Sequence, residues 1–309
     1  MAKIAVVGAG AMGSVYAGLL AEGGHEVWAV DTWREHVEAI NAGGLRVQGA
    51  SGDRTVAIRA TTDAREVGPC DLVIIATKAA QVEAAAEAAK ALLGPDTPVI
   101  SIQNGLGGPE RAAKVLGEER VVLGVVGGFG ASITAPGHAH HNGWDQVRLG
   151  ELAGPVSPRV ERLAEIWRSG GFNVLTFDDP HQLVWEKLIV NCAFSGPSAV
   201  TGLRVGELLA DPDGWTVSSS CAREAWTLAR ALGIAVDIAD PVAHVRAFGS
   251  KMPDARPSML LDHLAGRRSE IDAINGAVAE RGATAGVATP YNTVVAALVR
   301  AKEHAFPLR

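Results

Sequence analysis

The chain has 309 residues, 48% of them hydrophobic and 20% charged, and a formal net charge of −6. That is a globular balance, with length enough for two domains that each bury a core. No long Lys/Arg block occurs, so neither nucleic acid nor an anionic membrane is expected as a partner. A small-molecule substrate is expected instead, an anion included, since a few local basic residues suffice for one carboxylate.

Cys70, Cys192 and Cys221 are odd in number and far apart. They predict reduced, mostly buried thiols in a cytoplasmic protein rather than a disulfide framework or a zinc site. Met1-Ala2-Lys3 leads straight into a strand-like apolar run, so no cleavable signal is expected. No apolar run reaches the roughly 18 residues of a membrane span.

Residues 4–7, 26–30, 72–76, 99–102 and 121–125 are short runs rich in Val and Ile, and read as buried parallel strands. Helical patterns lie between them, among them 14–21 and the alanine-rich 82–93. This alternation predicts an α/β Rossmann domain with a doubly wound, mostly parallel sheet. Residues 45–58 and 138–149 alternate in short polar steps, like hairpins or edge strands. Gly154-Pro155-Val156-Ser157-Pro158 reads as a loop opening a helix over 159–168, and 172–177 as a last strand. Past Asp178-Asp179-Pro180 strand signals stop. Helices are predicted at 181–194, 217–232, 240–250, 258–265, 270–281 and 291–304, an all-α C-terminal domain. The reading divides the chain into a dinucleotide-binding domain, 1–178, and a helical substrate and catalytic domain, 179–309.

Gly8-Ala9-Gly10-Ala11-Met12-Gly13 is G-x-G-x-x-G between a strand pattern and a helix pattern. In that setting Gly8 permits the tight turn, Gly10 clears space for a pyrophosphate, and Gly13 lets helix and strand pack closely. The helix N-terminus, with Ala11 and Met12 in its first turn, presents N–H groups and partial positive charge to phosphates. Asp31 ends the next strand, where such folds place a carboxylate on the adenosine ribose. It would repel a 2′-phosphate, so NAD is favoured as cofactor. Arg34, three residues on, keeps NADP open.

Lys78 and Gln81 follow one buried strand and Asn104-Gly105 another, at the sheet edge where ligands bind in open α/β folds. Lys187 and Asn191 are four apart, so they share a helix face. Arg256-Pro257-Ser258 and Ser269-Glu270 follow. His138, His140 and His141 have no accompanying carboxylate pattern, so they read as a polar loop and no metal is expected. Tryptophans such as Trp144, Trp185, Trp215 and Trp226 read mostly as core packing, with an aromatic-tolerant pocket as the alternative.

Taken in order, the glycine loop, Lys78, Asn104-Gly105, Lys187 to Asn191, Pro257 to Asp262, Glu270 to Gly276 and Ala288-Thr289-Pro290-Tyr291-Asn292 resemble the ketopantoate reductases, the 2-dehydropantoate 2-reductases. The resemblance implies that Lys187 donates the proton to a carbonyl oxygen as hydride arrives, and that Glu270 supports the active site. It implies substrate contacts for Asn191 and Ser258 and places Asn104 at the junction of cofactor and substrate. Lys78 and Gln81 would lie beside the nicotinamide end of the cofactor. The chemistry agrees, because ketone reduction builds negative charge on oxygen and calls for a cationic acid within hydrogen-bond reach.

Two positions depart from the family pattern. Ser195-Gly196 stands where these reductases usually carry Asn-Pro, whose asparagine contacts substrate, and Asp31 stands where NADP-dependent members carry a basic residue. The expected function is a 2-dehydropantoate 2-reductase-like oxidoreductase acting on a small 2-keto or 2-hydroxy acid. An NAD-dependent dehydrogenase oxidising a different hydroxy acid or alcohol is the alternative, and a non-catalytic nucleotide sensor a third. A homodimer is left open.

Overall fold

The computed structural model describes residues 1–128, 130–143 and 146–306. The strands are β1 Lys3–Val7, β2 Glu26–Val30, β3 Leu45–Gly49, β4 Arg54–Val56, β5 Arg59–Thr61, β6 Leu72–Ile75, β7 Val99–Ser101, β8 Val121–Gly127, β9 Gly130–Ala135, β10 His138–Gly143, β11 Gln146–Glu151 and β12 Asn173–Thr176. The helices are α1 Ala11–Glu22, α2 Arg34–Gly43, α3 Val82–Ala89, α4 Gly108–Leu116, α5 Pro158–Ser169, α6 Pro180–Thr201, α7 Val205–Ala210, α8 Pro212–Ala231, α9 Pro241–Ser250, α10 Ser258–Leu264, α11 Asn275–Ala285 and α12 Pro290–Glu303. By its contacts the chain forms two compact units. One holds Met1–Gln103 and Gly107–Pro180; the other holds Asn104–Leu106 and the chain from His181 on.

In the first unit an eight-stranded sheet runs β12-β11-β8-β7-β6-β1-β2-β5. From β5 to β8 every pairing is parallel, and β11 meets β8 antiparallel. This is the mostly parallel, doubly wound sheet that the Val/Ile runs predict, with the strand order reversing between β1 and β6. Both faces are covered. Ile4, Val6, Leu72 and Ile74 join one cluster with Tyr16, Trp167 and Phe172, whose rings meet edge to face. Ala5, Val7, Val73 and Ile75 join another with residues of α3 and α4.

The polar segments form a second sheet, β4-β3-β10-β9. Residues 45–56 supply one hairpin, and β10 pairs parallel to β3 from far along the chain. The His138–Leu149 stretch is therefore split, β10 in this sheet and β11 in the large one. The second sheet explains α1. Gly13 to Leu20 are buried without interruption, since the small sheet covers the helix face that would otherwise meet water. A Cβ on Gly18 would stand 2.6 Å from Val47 Cγ2, so helix and second sheet touch closely.

The second unit is helical throughout. Its first helix does not stop at Phe194, where the predicted helix ends, but runs on to Thr201 with Pro197 inside it. Gly196 serves close packing rather than a turn: a Cβ there would overlap Asn275 Oδ1 and stand 2.6 Å from Val295 Cγ1. Helices α2, α4 and α7, of 10, 9 and 6 residues, are too short for a helical period to stand out in the sequence. Cys70, Cys192 and Cys221 are buried free thiols. Burial pushes the Cys70 thiol up to about 11 and raises the other two as well, so none is a ready nucleophile.

Candidate active site

The glycine loop follows β1. Gly8 has φ +90°, and a Cβ there would lie 2.6 Å from Thr77. A Cβ on Gly13 would overlap the Gly8 carbonyl oxygen, whereas the Cβ position on Gly10 faces open space. Two glycines thus permit the turn and the tight helix approach, and the third leaves a cradle at the N-terminus of a twelve-residue helix. A pyrophosphate fits there, with backbone N–H groups as its donors. Ala11 and Met12 are half-buried in the first turn.

A buried polar chain braces this loop. Ser14 Oγ donates to Ala9 O at 2.7 Å, and His36 Nε2 lies 3.1 Å from Ser14 Oγ. Gly137 N donates to His36 Nδ1 at 3.0 Å, which places the imidazole proton on Nε2. The sequence reading missed His36, which lies on the apolar face of α2 beside Val37 and Ile40.

Asp31 follows β2, half-exposed, and its Oδ1 accepts from Trp33 N at 2.9 Å. Trp33 precedes α2 and stacks on His36 with centroids 5.0 Å apart, and Arg34 is exposed at the helix start. Lys78 stands just before a 3-10 turn over Ala79–Gln81, and Gln81 is exposed.

In the helical unit three of the expected residues meet. Lys187 Nζ donates to Asn104 Oδ1 at 2.7 Å, and Asn104 Nδ2 donates to Glu270 Oε2 at 3.3 Å. One amide thus faces an ammonium with its oxygen and a carboxylate with its nitrogen, a polarity that fixes its orientation. Gly105, φ +78°, lets the loop lie against Ala273, and Leu106 N donates to Ala273 O at 2.8 Å. Glu270 does not open an α-helix, as expected. It precedes a 3-10 turn, Ile271–Ala273, and α11 begins only at Asn275. Arg267, its near neighbour, bonds to Asp262 at 3.1 Å.

Lys187, Asn191 and Ser195 succeed one another at intervals of four on α6. Asn191 is half-buried and Ser195 is 4% exposed. Ser258 is exposed at the start of α10. Gly8, Gly10, Ala11, Met12, Gly13, Asp31, Lys78 and Gln81 belong to the other unit.

Other sequence features resolve into structure. The histidines 138, 140 and 141 lie on strand β10 rather than a loop, and His141 Nδ1 meets Ser51 Oγ at 3.0 Å. Among the described residues no group of three or more His, Cys, Asp or Glu side chains comes together to hold a metal. Trp185 is core, Trp215 lies under Arg246, and Trp226 donates to Ile238 O at 2.7 Å. Trp144 lies outside the described residues. A cavity of about 580 Å³, lined by Asp71, Thr97, Arg120, Arg159 and Arg162, sits at the N-terminal ends of β6 to β8. That is the edge opposite the glycine loop, and Arg159 is already paired with Glu151. It is the wrong edge for a dinucleotide.

Comparison with known proteins bears on this geometry. The family model described as ketopantoate reductase PanE/ApbA matches residues 4–154, and its C-terminal counterpart matches 179–303. The 2-dehydropantoate 2-reductase of Archaeoglobus fulgidus is 31% identical over 97% of this chain and 98% of its own. The chain belongs to the ketopantoate reductase family. It is an oxidoreductase of that family, acting on CH–OH groups with a nicotinamide cofactor. Among solved structures, a PanE/ApbA family ketopantoate reductase from Ralstonia eutropha JMP134 has TM-score 0.90 and 34% identity over 98% of both chains. A D-mandelate dehydrogenase with NADH and anilino(oxo)acetate has TM-score 0.91 and 29% identity, again over 98% of both. Among the described residues no helix is long and apolar enough to cross a membrane.

Proposed function

We propose that this enzyme exchanges hydride between a nicotinamide dinucleotide and a small 2-keto or 2-hydroxy acid, with 2-dehydropantoate as the first substrate to test. The observation that carries the reading is the Lys187–Asn104–Glu270 group. When bound, the cofactor supplies or accepts the hydride. Lys187 gives its proton to the carbonyl oxygen, or takes it back in the reverse direction. An ammonium has three donors, and Asn104 takes one of them, which orients the amine. Glu270 holds the far side of the Asn104 amide and so resists its rotation. Asn191, Ser195 and Ser258 supply neutral hydrogen-bonding groups for the substrate, and Lys78 and Gln81 serve the cofactor. The helical domain, 179–309, carries Lys187 and Glu270, and the domain 1–178 carries the dinucleotide and contributes Asn104.

A second reading has its own support. Ser195 replaces the family's usual asparagine, and a D-mandelate dehydrogenase is as similar in fold as the ketopantoate reductases. An NAD-dependent dehydrogenase for a different 2-hydroxy acid is therefore the rival. NAD is the preferred cofactor in either case, from the Asp31 carboxylate. The free cysteines support a cytoplasmic location for the enzyme. Initial rates with NADH and NADPH over a panel of 2-keto acids, and in reverse with the matching alcohols, decide between the readings. Activity confined to ketopantoate supports the first, and a preference for other acids supports the second. No oxidation or reduction of any 2-hydroxy or 2-keto acid would overturn both.

A further inference from the structure

Glu303 ends α12 and is 6% exposed. It continues the buried stripe of Val295 and Val299 at intervals of four, so a carboxylate stands where an apolar side chain belongs. Burying an ionised carboxylate is costly unless donors surround it. Three donors converge on its Oε1: Ser269 N at 2.8 Å, Ser269 Oγ at 2.6 Å and His263 Nε2 at 3.0 Å. His263 is itself buried, with its ring edge-to-face against Phe306 and its Nδ1 without a hydrogen-bond partner. The imidazole therefore has Glu303 as its polar anchor.

Ser269 is the residue before Glu270. Two residues after Glu270, Asp272 is held by Arg300 of the same helix at 2.6 Å. Next in the same turn, Ala273 O accepts from Leu106 N of the loop that carries Asn104. The turn bearing Glu270 is thus gripped by α12 on one side and by the Asn104 loop on the other. The Arg300–Asp272 pair is exposed and contributes little. The buried Glu303 contact is the stronger hold of α12 on the turn.

We infer that Glu303 is a positioning residue for the reaction: by holding Ser269 it aims the Glu270 carboxylate at Asn104, and through Asn104 it orients Lys187. The inference rests on the catalytic reading of Glu270 and Lys187 given above. Glu303 has no proposed contact with substrate or cofactor, so its loss is expected to reach turnover through Glu270.

The test is a double-mutant cycle on the full-length enzyme. Glu303→Gln, Glu270→Gln and the double variant are assayed for kcat and KM with the best 2-keto acid, for cofactor Kd, and for Tm. Glu303→Gln is expected to lower kcat/KM about tenfold, to leave cofactor Kd within about twofold, and to have no further effect once Glu270→Gln is present. Ser269→Ala, which removes one donor and leaves the carboxylate in place, should show the same pattern more weakly and serves if Glu303→Gln folds poorly. An equal loss in both backgrounds, or no loss in either, overturns the inference while leaving the Glu270 assignment intact. Unchanged turnover in Glu270→Gln alone overturns that assignment and the inference with it.

Discussion

Lys187 Nζ and Asn104 Oδ1 meet at 2.7 Å although the residues lie 83 apart in the chain. The contact gives the amine a fixed direction at no cost in charge, because an amide oxygen accepts without neutralising the ammonium. Lys187→Ala should lower kcat by about 10²- to 10⁴-fold, the usual worth of a general acid, with cofactor affinity retained. Asn104→Ala should cost less, because the acid remains but is no longer aimed. Steady-state kinetics and a cofactor fluorescence titration check both; near-normal turnover without Lys187 removes it from the mechanism.

Asp31 bears on the choice of dinucleotide. Its Oδ1 is held by Trp33 N, and at the ribose-binding position proposed for it the carboxylate would repel a 2′-phosphate. Asp31→Ala should raise kcat/KM with NADPH relative to NADH on the order of tenfold, the group being half-exposed and partly screened. A wild-type enzyme already faster with NADPH would show that Arg34 outweighs Asp31.

Ser195 bears on the substrate. It follows Lys187 and Asn191 at the same four-residue interval and is buried. Ser195→Asn should shift the substrate profile toward ketopantoate, and the larger buried side chain should cost about 1–3 kcal/mol of stability. A substrate panel and a thermal melt report the two effects separately. An unchanged profile would remove Ser195 from the specificity determinants.

His36 predicts a pH effect. Burial holds its pKa below the ordinary 6.5, outweighing the opposite pull of Asp31, and His25 and His141 are lowered by burial too. Below about pH 6.5 the unfolded chain therefore binds more protons than the folded one. The stabilisation is complete above that pH and fades as pH falls toward the folded-state value. Protonated His36 would also turn an N–H toward the Gly137 N–H and break the brace on Ala9. Tm should fall from pH 7 to pH 5, and cofactor affinity with it. His36→Gln should flatten both slopes; curves parallel to wild type would show that His36 is not the group responsible.

Much of the first unit was legible because its signals are local. Val/Ile runs mark buried strands, and the spacing of Gly8, Gly10 and Gly13 states what the backbone must do. The four-residue spacing of Lys187 and Asn191 likewise announces one helix face, which Ser195 joins only because α6 runs on past Phe194. Reading failed where a local signal met a tertiary demand. Ser195-Gly196-Pro197 looks like a stop, yet Gly196 lets α6 pass close to Asn275 and Val295. Glu270 looks like a helix start, yet it precedes a short 3-10 turn gripped from two sides. Glu303 left a trace, a charge in an apolar stripe, but nothing in the order of residues says that Ser269 fills its lone pairs.

By itself, then, the amino-acid order determined the α/β-then-helical plan and the glycine turn after β1. Those depend on periodicity and backbone freedom, which act over a few neighbouring residues. The tertiary structure alone decided that β3 and β10 would cover α1 and that one amide would face both Lys187 and Glu270. It alone decided that α12 would hold the turn that bears Glu270. Hydrogen bonds between distant residues depend on direction within a few tenths of an ångström, and that is set by packing rather than by spacing along the chain.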